Sequence, residues 1–147
     1  MKLRPPRVRS LSFGELCRVV EIAALLVLSS LAIRALSPRT YFGWAHGSLG
    51  FRARPGEAEM RRLARLVEAV DERLPGGAHC LRRALVLCVL LRRRGVPATV
   101  EVGVARRDGG IVAHAWLDTG EPSWRVVDRA DGYSSLRNRT PPIQLPV

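Results

Sequence analysis

The hydrophobic period of this chain changes once, close to Gly95 and Pro97, and this change constrains the fold more than any other feature. Before it, apolar residues recur at intervals of three and four, which is typical of amphipathic helices. After it, apolar and polar residues alternate, as in strands with one buried face. Helices followed by an antiparallel β-meander, without internal repeats, predict an α+β fold.

Three helices are predicted before the change of period, over residues 13–36, 55–74 and 80–94. Ser12 is the expected N-cap of the first helix, and Glu15, three residues later, completes a capping box. A loop rich in glycine and aromatic residues, 40–51, is expected between the first two helices. Gly95 is expected to close the third helix from the C′ position.

Three strands are predicted after the change of period, over residues 98–105, 111–117 and 124–128. Asp108 and Gly109 are a strong signal for a tight hairpin turn between the first two strands. The sequence DTGEPS predicts a second turn before the third strand, so the three strands would form a meander.

The length and the cysteines indicate a single domain in a reducing compartment. A chain of 147 residues is long enough to bury a hydrophobic core without disulfides or structural metal ions. Residues 1–54 are predicted to hold a basic N-terminus, a hydrophobic helix and a loop, and residues 55–147 a catalytic core, packed together as one unit. Three cysteines without a C-x-x-C pair argue against a disulfide framework and suit the cytosol. No cofactor is predicted.

The net charge of +11 comes almost entirely from arginine. Such a charge raises the question of nucleic-acid or anionic-membrane binding. The arginines, however, are scattered through amphipathic stretches and are not interleaved with aromatic residues. We therefore predict an acidic partner or substrate and no nucleic acid.

The hydrophobic helix over residues 13–36 is apolar enough to be compared with a membrane-spanning helix and with a signal peptide. Its uncharged run, residues 22–33, is shorter than the about 20 residues of a spanning helix. A signal peptide would need a small-residue cleavage site, which does not follow. We predict a cytoplasmic protein whose hydrophobic helix packs on the domain or on a partner. Peripheral contact with a membrane, helped by the basic leader over residues 2–9, is the alternative.

Cys80 lies at the predicted start of the third helix, directly after a Pro-Gly-Gly break. A helix N-terminus exposes unpaired N–H groups and the positive end of the dipole, and both stabilise a thiolate. The same N–H groups can hold the oxyanion that forms when a thiolate attacks a carbonyl. The position therefore favours a nucleophile over a packed thiol.

His114 and Asp128 are the candidate partners of Cys80. His114 lies in the middle of the second predicted strand, between two alanines that leave room for a helix and a substrate. A meander sets His114 opposite Asp128, where the carboxylate would orient the imidazole, as triad chemistry requires. A register slip by one residue would place Val127 there instead. Asp131 is the alternative orienting residue.

Residues 78–118 carry three motifs in order: C-L-x-x-A-L-x-L from Cys80, L-L-R-R-R-G-V-P from Leu90 and A-H-A-W around His114. In their order and spacing they resemble the transglutaminase-like leader peptidases of lasso-peptide biosynthesis, the microcin-J25-processing type whose stand-alone form is called B2. The resemblance implies a papain-like cysteine protease core with Cys80 and His114 as catalytic residues. It assigns the family's aspartate to Asp128, after a turn slightly longer than usual.

The resemblance also implies a substrate and partners. The protein would remove the leader from a lasso precursor peptide and free the α-amine of the core. A separate asparagine-synthetase-like cyclase would then form the macrolactam. In split systems a small PqqD-like protein, B1, holds the leader, and nothing in this chain looks like that module.

Two other functions stay open. A transglutaminase-fold acyltransferase would use the same cysteine chemistry and pass the acyl group to an amine. A non-catalytic basic scaffold would use the helix over residues 13–36 and its arginines to bind a membrane surface or partner proteins.

The remaining cysteines are interpreted as small hydrophobic residues. This applies to Cys17 and to Cys88, which lies more than two helical turns after Cys80. That separation, ~12 Å along a helix, and the absence of C-x-x-C or H-E-x-x-H motifs exclude a zinc site from the prediction.

The remaining polar and aromatic candidates receive structural roles. His46 is expected to have no partner, His79 to be exposed beside the nucleophile, and Trp116 to lie in the core or in a pocket wall. Arg82 and Arg83 are expected on a solvated helix face, with contact to an acidic leader as the alternative.

Overall fold

The structure, a computed structural model, describes residues 12–47, Gly50, residues 53–120 and the backbone of residues 134–135. In this part of the chain, helices precede strands, as the α+β prediction requires. The elements are α1 (Phe13–Ala35), α2 (Pro38–Ala45), α3 (Glu57–Asp71), α4 (His79–Arg92), β1 (Thr99–Arg107), β2 (Gly110–Asp118) and β3 (Ser134–Ser135).

The first helix begins with the predicted capping box. The backbone N–H of Ser12 donates to Glu15 Oε2 at 2.9 Å, and the backbone N–H of Glu15 donates to Ser12 Oγ at 3.3 Å. These bonds satisfy N–H groups that would otherwise have no partner at the helix start. The sequence therefore located the beginning of α1, and its end at Ala35 differs from the predicted end by one residue.

The predicted loop over residues 40–51 is wrong in its first half, where the chain forms α2. Pro38 occupies the first turn, and its fixed φ suits that position. Tyr41 and Ala45 are buried in the core. This burial outweighs the low helix propensity of Gly43, which the sequence pattern had suggested as a loop residue.

The central element of the described fold is α4. The whole run over residues 84–91 is buried, and α4 contacts α1, α2, α3, β1 and β2. A helix that is apolar on all sides is typical of such a position. The helix ends before Gly95, which has a positive φ of 77°, as its predicted C-capping role requires.

The predicted hairpin is present, with the turn at Asp108 and Gly109. Both residues have positive φ values, 48° and 79°, which the tight turns that match strand twist require. The hairpin sets Gly103 of β1 directly opposite His114 of β2.

The order of the strands in the described sheet differs from that of the predicted meander. A meander would pair the third strand with β2, whereas β3 pairs with β1, so the strand order is β2-β1-β3. The predicted strand over residues 124–128 lies outside the described residues, and its pairing with β2 stays a prediction.

Candidate active site

Cys80 is the second residue of α4, as its place after the Pro-Gly-Gly break indicates. Its thiol is free and half-buried. The N-cap, Ala78, has left-handed dihedral angles (φ 58°, ψ 35°), and no side chain caps this helix in the described structure. The N–H groups of the first turn are therefore available to an anion beside the sulfur.

The conformation of Ala78 is strained. Left-handed dihedral angles cost a residue with a Cβ about 1–2 kcal/mol. Gly76, with a φ of 121°, precedes it in the same loop. Strained residues of this kind cluster at functional sites, where the surrounding structure holds them in place. The strain at Ala78 thus indicates that the surrounding structure holds the backbone just before Cys80 in a defined conformation.

His114 lies in the middle of β2 and is half-buried, with its Nε2 atom enclosed by the protein. Its ring lies 6.3 Å from that of Trp116, centroid to centroid, and the two planes differ by 22°. Ala115 and Leu117 alternate with this pair and are buried in the core. The imidazole and the indole therefore share the other face of the strand, and Trp116 forms a wall beside the imidazole.

The helix that carries the predicted nucleophile packs directly against the strand that carries the predicted base. The face of β2 that is buried in the core, however, carries Ala115 and Leu117, and His114 lies on the opposite face of that strand. The catalytic contact between Cys80 and His114 stays a prediction. Asp128 and its alternative, Asp131, lie outside the described residues, so the third member of the triad stays a prediction as well.

A network of buried charges surrounds the start of α4. The carboxylate of Asp71, at the end of α3, is fully buried. It accepts hydrogen bonds from Arg82 Nε at 2.5 Å, from Arg83 Nε at 2.6 Å and from His79 Nδ1 at 2.8 Å. Three residues of the first turns of α4, on both sides of Cys80, are thereby held to one carboxylate.

Arg82 extends this network to two further elements. Its side chain is only 2% exposed. It donates to Ser30 Oγ of α1 at 3.0 Å and to the carbonyl oxygen of Pro75 at 3.2 Å. Asp71 and Arg82 together therefore link α1, α3, the loop before α4 and the first turn of α4 that holds the nucleophile.

Asp71 keeps its charge inside the protein. Burial raises the pKa of its carboxyl. The hydrogen bonds from His79, Arg83 and Arg82 together lower this pKa by more than burial raises it, so the pKa lies below its ordinary value. The carboxylate is therefore ionised at neutral pH, and it neutralises the guanidinium of Arg82 beside it.

The positions of Arg82 and Arg83 differ from the sequence prediction of a solvated helix face. Arg82 is buried and not on a solvated face, and Arg83 is bound to Asp71 and to Glu68. His79 is 46% exposed, in line with the prediction, although it is also bonded to Asp71.

His46 has a partner after all. Its Nε2 accepts the backbone N–H of Val100 at 3.0 Å. The ring also stacks against Phe42, with centroids 6.1 Å apart. His46 therefore connects the end of α2 to the start of β1, a structural role that its place in a predicted loop did not indicate.

The sequence contains one signal that could have identified Asp71. The buried residues of α3 are Met60, Leu63, Val67 and Asp71, spaced at three and four residues along one face. A carboxylate in register with an apolar stripe must be paired inside the core. The arginines of the next helix were the available partners.

The two other cysteines have different environments. Cys88 is fully buried, as predicted, and its Sγ donates to the carbonyl oxygens of Ala98 and Ala45. Burial raises the pKa of the Cys88 thiol to about 12. Cys17, which was interpreted as a packed hydrophobic residue, is exposed on α1.

We expect iodoacetamide to modify Cys17 in the folded protein and Cys88 only after unfolding. At pH 8 a thiol with a pKa of about 12 is ionised to roughly one part in 10⁴, and burial also blocks access. Peptide mass spectrometry with and without denaturant measures both sites in one sample. Equal rates of labelling at the two thiols in the native protein would contradict the buried position of Cys88.

A small cavity opens beside the start of α4. It has a volume of about 240 Å³ and is lined by Ser30, Ile33, Arg34, Gly76, Gly77, Ala78 and Arg82. Among the residues that the structure describes, no group of three or more histidine, cysteine, aspartate or glutamate side chains could hold a metal ion.

Comparison with known proteins agrees with a site built on a thiol. A family model described as the Transglutaminase-like superfamily matches residues 23–138, which include α2, α3, α4 and the hairpin. No curated protein and no solved structure matches the chain. The superfamily match suggests activity of the cysteine protease or acyltransferase type, and both types proceed through attack by a nucleophilic thiol.

Proposed function

The chain belongs to the transglutaminase-like superfamily, and from this premise we propose that it is a cysteine peptidase that removes the leader from a lasso-peptide precursor. The observation that carries the proposal is the position of Cys80 in the uncapped first turn of α4. The motifs around Cys80 and His114, which resemble those of lasso leader peptidases, support the choice of substrate.

The proposed reaction begins with transfer of the Cys80 thiol proton to His114 and attack of the resulting thiolate on the carbonyl carbon at the leader–core junction. The N–H groups of the first turn of α4 stabilise the oxyanion. The tetrahedral intermediate collapses as His114 donates a proton to the leaving amine, which becomes the free α-amine of the core. The leader remains as a thioester on Cys80, and water, deprotonated by His114, hydrolyses it. Asp128 is proposed to orient the imidazole throughout.

The buried charge network supports this reaction because it fixes the position of the helix turn that carries Cys80. Asp71 binds the residues on both sides of Cys80, His79 and Arg82. Small displacements of a nucleophile reduce rates strongly, because attack needs a defined distance and angle. Asp71 and Arg82 are therefore proposed as positioning residues that hold the first turn of α4 in place.

The proposed partners follow from the same resemblance. The precursor would arrive bound to a PqqD-like leader-recognition protein, B1, and the freed core would pass to an asparagine-synthetase-like cyclase in the cytoplasm. The net charge of +11 favours an acidic leader or an acidic partner surface. Activity without these partners is expected to be low.

An acyltransferase is the second candidate, because the superfamily match suggests both types of activity. The two functions share the acyl-thioester and differ only in what resolves it. Water yields a leader with a free carboxyl group, whereas an amine yields a leader amide.

The test is the incubation of the protein with a precursor peptide and its B1-type partner, with and without added glycine methyl ester. We expect mass spectrometry to show a leader with a free carboxyl group and a core with a free α-amine in both reactions. A leader–glycine conjugate as the main product would favour the acyltransferase. Absence of any cleavage with the partner present would favour the non-catalytic scaffold.

A further inference from the structure

The outward side of α1 is an apolar surface, which we call the outer stripe. It consists of exposed residues at helical spacing: Phe13, Leu16, Cys17, Val20, Ala24, Val27, Leu28, Leu31 and Ala35. Phe13 is 82% exposed, Val20 59% and Leu31 55%. From Phe13 to Leu31 the stripe is about 27 Å long and contains no charged residue. Contiguous apolar surface of this length indicates an interaction site.

Three charged residues of α1, Glu15, Arg18 and Glu21, lie beside neighbouring parts of the protein instead. Glu15 pairs with Arg62 of α3 at 3.3 Å, and Glu21 pairs with Arg93 at 3.0 Å. Arg18 lines the cleft between α1 and α3. The outer stripe is therefore apolar although the same helix holds charges, so its composition is not explained by the need to pack α1 on the core.

The apolar surface continues from α1 onto α2. A groove of about 360 Å³ is lined by Leu28, Leu31, Ala32, Ala35, Leu36, Tyr41 and Trp44. The indole of Trp44 is 41% exposed. Tryptophan combines an apolar body with a polar N–H and is enriched where a protein meets the boundary between lipid and water.

In the sequence, basic residues precede and follow the outer stripe. The residues before Ser12 include Lys2, Arg4, Arg7 and Arg9 and no acidic residue. Arg34 and Arg39 are exposed close to the other end of α1. An apolar helix face with basic residues around it is complementary to an anionic membrane surface, since the lipid tails accept the apolar side chains and the headgroups the cations.

From this complementarity we propose that the outer stripe of α1 binds the surface of an anionic membrane, with the helix lying in the plane of the interface. By length and mean hydropathy, 2.2, α1 could also cross a membrane. Its other face, however, packs in the core through Ile22, Leu25 and Leu26 and carries Glu15 and Glu21. Crossing would unpack the core and place these carboxylates in hydrocarbon, which is costly. This proposal does not depend on the peptidase activity.

The experiment is co-sedimentation of the full chain with vesicles of phosphatidylcholine alone and of equal parts phosphatidylcholine and phosphatidylglycerol. We expect binding to the anionic vesicles that weakens with salt. The double variant Val20→Glu/Leu31→Glu should lose ~tenfold or more of its partitioning, because it places charges where the acyl chains begin. Ile111→Glu is the matched control, since Ile111 is 75% exposed on the hairpin, away from the stripe, and it should bind as the wild type does.

A second measurement places no charge in the stripe. Cys17 lies within it, and in a Cys80→Ala background a polarity-sensitive fluorophore can be attached there, since Cys88 is buried. The emission should shift to the blue on addition of anionic vesicles. Three results would overturn the proposal: no shift together with no sedimentation, equal binding by the double variant, or a soluble dimer whose dissociation in the double variant shows that a second copy covers the stripe.

Discussion

Cys80→Ala is expected to abolish cleavage of the precursor while the protein remains folded and still binds its partners. The substitution removes the sulfur that is proposed to form the acyl-thioester, and loss of the nucleophile in a serine protease costs on the order of 10⁶ in kcat. The Cys80 thiol is half-buried in the first turn of α4, so its replacement by alanine should change the packing only slightly. Cleavage is followed by mass spectrometry of leader and core, and folding by circular dichroism.

Cys17→Ala is the matched control, because it deletes the same sulfur from an exposed position on α1. This variant should cleave at the wild-type rate in the absence of membranes. If Cys80→Ala protein still cleaves the precursor, Cys80 is not the nucleophile. If both alanine variants lose activity equally, the loss reflects a general effect of thiol removal.

The secondary structure was largely predictable because its signals are local. The capping box at Ser12 and the Asp108–Gly109 turn each depend on residues within a few positions of one another, and both are present. The short helix α2 was missed, since its stability comes from burial of Tyr41 and Ala45 against residues that are distant in sequence. Propensity alone does not contain that information.

The surroundings of Cys80 were less predictable than its position. Its place in the first turn of α4 follows from the glycine break and the apolar run after it. The network of Asp71 and Arg82, in contrast, depends on how α1, α3 and the loop at Pro75 meet at one point. Arginine at a helix start is usually solvated, and only the packing of three helices makes Arg82 a buried cation that needs a carboxylate.

Asp71→Asn is expected to lower the free energy of unfolding by about 3–5 kcal/mol, the range seen when one partner of a buried ion pair is removed. Asp71 is fully buried, and Arg82 is 2% exposed. Asparagine preserves the shape of the side chain but not its charge, so the guanidinium of Arg82 would remain in the core without a counterion. Urea unfolding of both proteins measures the difference, and the cleavage rate should fall as well because the turn that holds Cys80 loosens.

Glu68→Gln is the control for this prediction. It is the same change from carboxylate to amide on the same helix, and Glu68 pairs with Arg83 at 3.2 Å but is 55% exposed. A surface pair of this kind contributes about 0–1 kcal/mol. The loss from Asp71→Asn should also shrink in an Arg82→Gln background, where no buried cation is left unpaired. Equal losses in the two single variants would show that burial of the Asp71 pair is not the source of stability.

Acid should affect the wild type and Asp71→Asn differently. The hydrogen bonds from His79, Arg83 and Arg82 outweigh the effect of burial and hold the folded-state pKa of Asp71 below its ordinary value of 3.8. A lowered folded-state pKa means that the carboxylate's contribution to stability is complete above the unfolded-state pKa and is lost as the pH falls through the folded-state value. The gap in unfolding free energy between the two proteins should therefore be constant near neutral pH and narrow below a pH of about 4. Every other carboxylate is shared by the two proteins, so a gap that stays constant into strong acid would mean that the charge of Asp71 does not stabilise the start of α4.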